Sequence, residues 1–423
     1  MKMPLPAHLI TGSFNSPIPL WVFVLAAGVT ILATALRPTT QQAPEAYAAQ
    51  LTEPRRVLPA SLVRLLAILG PLAALWVVLQ GLLGGSSVGR VDVLFLWHVG
   101  WVALPALAAA GISIYPIVDP WRRLALLLRP RAPRQLPADD VAPASTGVFA
   151  VATIIVLELV LTGGRGGPSL FAALLLHGTW VITGRLTAAD PERWAARHDP
   201  LTIVSRLLGE ISRRRPVGDP DDALVAPRHS APDGAARSRF ALVCILVGAV
   251  IYDGVSQTEI WFRIFGLPAI PARAALLGAV IALIALLSFV AARVATRTNE
   301  QGSLARATVV AGLRPVALGY LIAHYGPSVI AAAPYWLVAI ADPLQRGWNL
   351  FGLAYTASDI EPLPGVVIWT GQVVAVVGGH IAGIRAADRA HPARGGHQIA
   401  TALLLVALTM ITLWTLGQAV VTN

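Results

Sequence analysis

Six ionisable side chains stand inside long apolar stretches of this chain: His98, Glu158, His177, Asp253, His324 and His380, with Tyr325 and Gln372 as polar companions. At the centre of a membrane helix such a group costs about 2.5–3.5 kcal/mol on insertion scales, which makes each one a functional candidate. The chemistry on offer is of two kinds. Imidazole nitrogens and carboxylate oxygens suit zinc, copper or iron, so His324, His380 and an acid such as Asp253 would hold a divalent transition metal. The same groups would equally make a proton relay. Asp253 and Glu158 are the candidate catalytic carboxylates, and Tyr325 and Gln372 the candidate substrate contacts inside the spans. No HExxH or HxH spacing is present, so any site must be assembled from several helices. GxSxG, Walker and dinucleotide motifs are absent, and Gly163-Gly164-Arg165-Gly166-Gly167 reads as a tight turn between two spans.

Simpler readings stand beside these. His98, between Trp97 and Trp101, suits a membrane interface, and His177 reads as one hydrogen-bonded histidine between helices. A lone carboxylate in apolar surroundings has its pKa raised and can stay neutral while it hydrogen-bonds a neighbouring helix. His324 adjoins Tyr325 and follows Tyr320 by one turn. His380 lies between Gly379 and Gly383, a small-residue pair that lets another helix approach closely.

Ten hydrophobic stretches must position these residues, near 18–36, 61–84, 92–115, 146–162, 169–186, 240–260, 273–293, 314–334, 364–385 and 398–419. Most reach the roughly 20 apolar residues that a bilayer crossing requires. The basic residues, all arginine except Lys2, set the orientation. Of 32, 25 fall in or at the edges of the odd-numbered loops and 6 in the N-terminal segment and even-numbered loops. Positive charge stays on the cytoplasmic side, so both termini are expected outside. The expected fold is an all-α integral membrane protein, a single domain over 1–423 with about ten transmembrane helices. On this topology most of the intramembrane polar groups gather in the outer half of the bundle.

At 56% hydrophobic and 13% charged, the composition excludes an ordinary soluble domain. The net charge of +10 sits in short loops beside membrane helices, where orientation and anionic lipid explain it, so nucleic acid is not an expected partner. The partners expected are the bilayer and a small-molecule substrate. Cys244 is the only cysteine, which excludes disulfides and Cys-rich metal sites. The cytoplasmic loop over 187–239 divides into an amphipathic helix at 200–215, expected in the inner interface, and a Pro/Asp/Gly-rich linker at 216–236. Outside, Asp342-Pro343-Leu344-Gln345-Arg346-Gly347-Trp348 offers Asp342 and Arg346 as substrate contacts, Arg346 for an anion. The apolar run at 331–341 before it would either prolong the eighth helix or re-enter the membrane.

Several stretches together resemble a family of bacterial polytopic membrane proteins, the fenitrothion hydrolase-like proteins. They are Pro17-Ile18-Pro19-Leu20, Asp119-Pro120-Trp121-Arg122, Tyr252-Asp253-Gly254-Val255-Ser256, Ala323-His324-Tyr325, the Asp342–Trp348 loop and Gly379-His380-Ile381-Ala382-Gly383. The resemblance runs through nearly the whole chain in order, with Asp119 standing where asparagine is usual. It implies hydrolysis of an organophosphate ester in the bacterial cytoplasmic membrane. The residues themselves equally suit a transporter that uses the same His, Asp and Glu groups for a solute, a metal or a proton.

Overall fold

The computed structural model describes residues 20–36, 58–84, 90–128, 144–163, 166–212, 233–294, 302–353, 363–390 and 396–417. Among these residues the secondary structure is helical throughout, with no strand. In chain order the helices are α1 Leu20–Leu36, α2 Ala60–Leu83, α3 Val91–Ala109, α4 Tyr115–Val118, α5 Pro120–Leu128, α6 Ser145–Thr162, α7 Pro168–Thr187, α8 Pro191–His198 and α9 Pro200–Gly209. There follow α10 Asp233–Ser256, α11 Glu259–Phe265, α12 Ile270–Val294, α13 Gly302–Ala331, α14 Ala333–Ala341, α15 Gly365–Ala390 and α16 Gly396–Leu416. Eight of these, α2, α3, α6, α7, α10, α12, α13 and α15, are long and apolar enough to cross a membrane. Shorter apolar helices run over Leu20–Thr34 and Ala400–Leu416. Every one of the ten apolar stretches read from the sequence thus falls on a helix.

Where one helical domain is expected, the chain packs as two compact units, neither continuous in sequence. The first gathers α2 to α9, the last residues of α13, and α14. The second gathers α1, α10 to α12, α13 up to Gly326, α15 and α16. In the first, α3 is mostly buried, whereas α2 exposes Leu65, Ile68, Leu72, Leu75 and Leu82 as lipid would require of an outer helix. In the second, α10 and α13 are mostly buried and α12 turns Leu283, Leu286 and Leu287 outward.

The amphipathic stretch at 200–215 shows why an apolar stripe does not identify what covers it. The helix there ends at Gly209, and its apolar residues Leu201, Ile203, Val204, Leu207 and Leu208 are buried. They pack against α3, α6 and α8, so much of the face assigned to lipid covers protein instead. The linker expected at 216–236 lies outside the described residues except at its end, where α10 has already begun at Asp233. The run at 331–341 is not a plain extension of α13. A separate helix, α14, starts after Ala332 with Pro334 in its first turn, where a missing N–H costs nothing.

Two spans contain wide π-helical turns, Leu94–Ala103 in α3 and Leu157–Thr162 in α6. In α6 the Thr162 hydroxyl donates to Leu157 O at 2.9 Å, five residues back. Such turns shift the register of the following residues and recur at functional positions. His98 lies on the first and Glu158 on the second, and both are buried.

Within the second unit, α13 and α15 meet through glycines. A Cβ on Gly319 would stand 2.5 Å from Ala375 O, one on Gly379 2.7 Å from Pro315 O, and one on Gly383 2.5 Å from Gly312 O. Each is closer than a side-chain carbon can approach a carbonyl, so the spacing of the two helices depends on these positions. Gly312 has more room, with 3.4 Å to Ala387 Cβ. Gly383→Ala is therefore expected to destabilise the protein by about 1–3 kcal/mol through overpacking. Gly312→Ala should be close to neutral or slightly stabilising, as alanine is the better helix former. Unfolding of both variants in detergent micelles checks the pair.

Candidate functional site

In a span, a polar side chain must find its partner within the protein, and the second unit shows how this requirement assembles a site. Asp253 lies three residues before the end of α10, and His324 lies on α13. His324 Nε2 and Asp253 Oδ2 are 2.7 Å apart, and each side chain is nearly closed off, at 5% and 6% exposure. The other carboxylate oxygen accepts from Gln257 Nε2 at 2.8 Å, one turn further along the chain. Tyr325 is buried beside His324 and meets its ring edge-on at 4.9 Å. Asp253, His324 and Tyr325, picked out separately from the sequence, therefore form one couple with an aromatic flank.

His380 belongs to a different arrangement. Its Nδ1 lies 2.8 Å from Val376 O on its own helix, and because a carbonyl only accepts, the ring donates there. In the neutral ring Nε2 is then an acceptor, and it faces the Tyr320 hydroxyl at 3.3 Å. Both ring nitrogens thus have protein partners. Among the described residues no three His, Cys, Asp or Glu side chains stand together as a metal would require. His324, His380 and Asp253 do not stand together as the expected donor set: His380 is held by a carbonyl and a phenol, apart from the His324–Asp253 pair.

Gln372 has a structural task that follows from the sequence. Pro327 has no N–H, so the Ala323 carbonyl four residues earlier loses its helical partner. Gln372 on α15 donates to that carbonyl, Nε2 to O at 2.8 Å. An unsatisfied carbonyl in a span costs several kcal/mol in hydrocarbon, and the amide from the next helix removes that cost. Gln372 therefore acts at the turn of α13 that carries His324, not as a free substrate contact.

The remaining candidates lie in the first unit. Glu158 is buried on its π turn in α6. Asp342 organises its own loop: Oδ1 accepts from Arg346 N at 2.7 Å and Oδ2 from Gly347 N at 2.8 Å. These bonds close a tight turn in which Gln345 and Gly347 take positive φ, 55° and 82°. The loop is anchored through Pro343 O, which accepts from Trp76 Nε1 at 2.8 Å. The Arg346 side chain is exposed and available to an anion, whereas the Asp342 carboxylate is occupied by backbone.

Sequence reasoning passed over a cluster in the first unit, where Asp119, Arg185 and Asp199 are buried. Its signal is present in the sequence as three Asp-Pro pairs, at 119–120, 190–191 and 199–200. An aspartate that caps a helix, followed by proline in the first turn, is a strong helix-start signature. Each of the three does cap: Asp119 accepts from Trp121 N and Arg122 N, Asp190 from Glu192 N and Arg193 N, and Asp199 from Thr202 N.

The assignment of Gln372 has a sharp consequence. Gln372→Met is expected to cost about 1–3 kcal/mol by leaving the Ala323 carbonyl without a donor. In a Pro327→Ala background, which returns an N–H to position 327, the same substitution should cost little. A double-mutant cycle of unfolding in detergent measures the difference, and equal costs in both backgrounds would refute the assignment.

Compared with family models, with curated proteins and with solved structures, the chain finds no match.

Proposed function

We propose that this chain is a multi-pass permease of the bacterial cytoplasmic membrane that couples movement of a small solute to protonation of the Asp253–His324 couple. The reading includes ten membrane crossings with both termini outside, as the arginine distribution favours. One observation carries it: a carboxylate and an imidazole 2.7 Å apart, buried between two apolar membrane-length helices. Ionisable groups in such surroundings are costly, and a carboxylate–imidazole couple can hold or pass one proton without separating charge. Gln257 keeps the carboxylate oriented, and Tyr325 seals one side of the ring.

A second reading, membrane-embedded hydrolysis of an organophosphate ester, is supported by the resemblance and by the same geometry. A carboxylate that orients an imidazole is how a base is held to activate water. In that case Asp253 orients, His324 is the base, and Arg346 is an anion contact; Glu158 is not required. Exposure favours the first reading. A triester must touch its base, and this base is 5% exposed, whereas a proton needs only a chain of hydrogen bonds.

The test follows internal pH and nitrophenol release together in proteoliposomes under an imposed pH gradient, supplied with fenitrothion and with a panel of small solutes. Solute-dependent proton flux is expected, falling about tenfold or more in Asp253→Asn and in His324→Gln, without nitrophenol. Flux unchanged in both variants would overturn the permease. Nitrophenol release that drops about 10²–10⁴-fold in His324→Gln would establish the hydrolase instead.

A further inference from the structure

This cluster in the first unit has a charge imbalance. Asp119 and Asp199 are fully buried and Arg185 nearly so. Asp119 is saturated: Oδ1 accepts from Trp121 N at 3.0 Å and Arg122 N at 3.2 Å, and Oδ2 from Arg185 Nη2 at 2.6 Å. Asp199 is half satisfied. Its Oδ2 accepts from Tyr115 Oη at 3.1 Å and from the N–H and hydroxyl of Thr202. Its Oδ1 is buried without a hydrogen-bond partner, and so is His177 Nε2, 3.7 Å away.

Two buried carboxylates therefore face one buried guanidinium. At the rim, Arg122 and half-exposed Glu192 pair at 2.7 Å and cancel, with Glu192 also 3.3 Å from Arg185. The other ionisable groups on the packed elements are Arg64 of α2, the Arg90–Asp92 pair and His98 of α3, Arg123 of α5, Glu158 of α6, Asp190, Arg193, Arg197 and His198 at α8, and Arg206 and Glu210 at α9. Arg64 is exposed, and His198 is engaged with the Thr146 hydroxyl at 2.6 Å. Within the buried group itself two carboxylates stand with one guanidinium, an excess of negative charge that is strongly unfavourable in the interior.

We propose that this cluster is a binding site for one exchangeable proton, shared between Asp199 Oδ1 and His177 Nε2. A proton added to Asp199 Oδ1, or a second proton on the His177 ring, removes the excess charge and lets the two facing atoms close from 3.7 Å into a hydrogen bond. Asp119 already has three donors, whereas Asp199 Oδ1 and His177 Nε2 have no hydrogen-bond partner, so the added proton completes the contact on that side. The same imbalance is felt at Asp119, where burial first, and then the neighbouring Asp199, push the carboxyl up to about 7 against the pull of Arg185. Because these groups interact, the proton belongs to the cluster rather than to one residue. Asp199 caps α9 and holds Tyr115 of α4, and His177 lies on α7, so loading the site bears on three helices. The site does not depend on whether the protein is a permease or a hydrolase.

The experiment uses the full-length protein in lipid nanodiscs, between pH about 5 and about 9. Infrared difference spectra read protonated carboxyl, and the imidazole ¹⁵N resonance lost in His177→Gln reads His177. One of the two signals is expected to titrate in this range. Asp119→Asn and Asp199→Asn should each abolish the change, since either leaves one carboxylate against one guanidinium. Asparagine keeps the capping acceptor at both positions, and unfolding temperatures close to wild type verify the fold. The carboxyl signal is read as the wild-type minus variant difference, which cancels Asp253 and Glu158. No such difference in either asparagine variant, together with a His177 resonance that does not change with pH, would overturn the proposal.

Discussion

A polar group inside a hydrocarbon layer has no water to fall back on, and the described polar contacts follow from that one constraint. The carbonyl that Pro327 leaves without a donor is met by Gln372. The Asp253 carboxylate is met on both oxygens, by Gln257 and His324, and His380 on both nitrogens, by Val376 and Tyr320. In the first unit Arg185 ends its span against Asp119 at 2.6 Å. Each bond spans two helices or two turns, so satisfying the polar atoms also fixes the packing of otherwise interchangeable apolar surfaces.

How much of this was legible in the sequence depended on whether the signal was local. The apolar stretches were fully legible, because a span is a property of about 20 consecutive residues. The buried ionisable groups were legible one at a time, because each violates the apolar rule of its own segment. Their pairing was not. Asp253 and His324 are 71 positions apart, and nothing at either position names the other. Pro327 poses a question within the sequence itself: some donor must reach Ala323 O. The answer, Gln372, required the structure. The three capping Asp-Pro pairs carry a local signal, because the capping aspartate and its proline are adjacent, although Asp342-Pro343 has the same pair and opens a turn.

Amphipathicity and ligand chemistry are incomplete signals for related reasons. Periodicity in Pro200–Gly209 reports that one face is covered and does not say by what, and here protein helices cover much of it. Residue types report which ligands are chemically suitable and do not say whether their lone pairs are free. His380 is as good a ligand in composition as His324, yet its ring is held by a carbonyl and a phenol.

Satisfying one atom also determines what the neighbouring atoms can do. Without Pro327, the Ala323 carbonyl would bond within α13, and α15 would have no polar tie at that turn. With it, α13 is joined to α15 one residue before His324, and the close glycine contacts at Gly319, Gly379 and Gly383 hold the two helices near enough for the amide to reach. His324 is then set from two sides, by the tie to α15 through its neighbour's carbonyl and by Asp253 of α10 through its own ring. A histidine fixed in this way has little rotational freedom to lose when its protonation changes. A change of charge at the couple must therefore be answered by the helices that hold it, which is the property that proton coupling to solute movement requires.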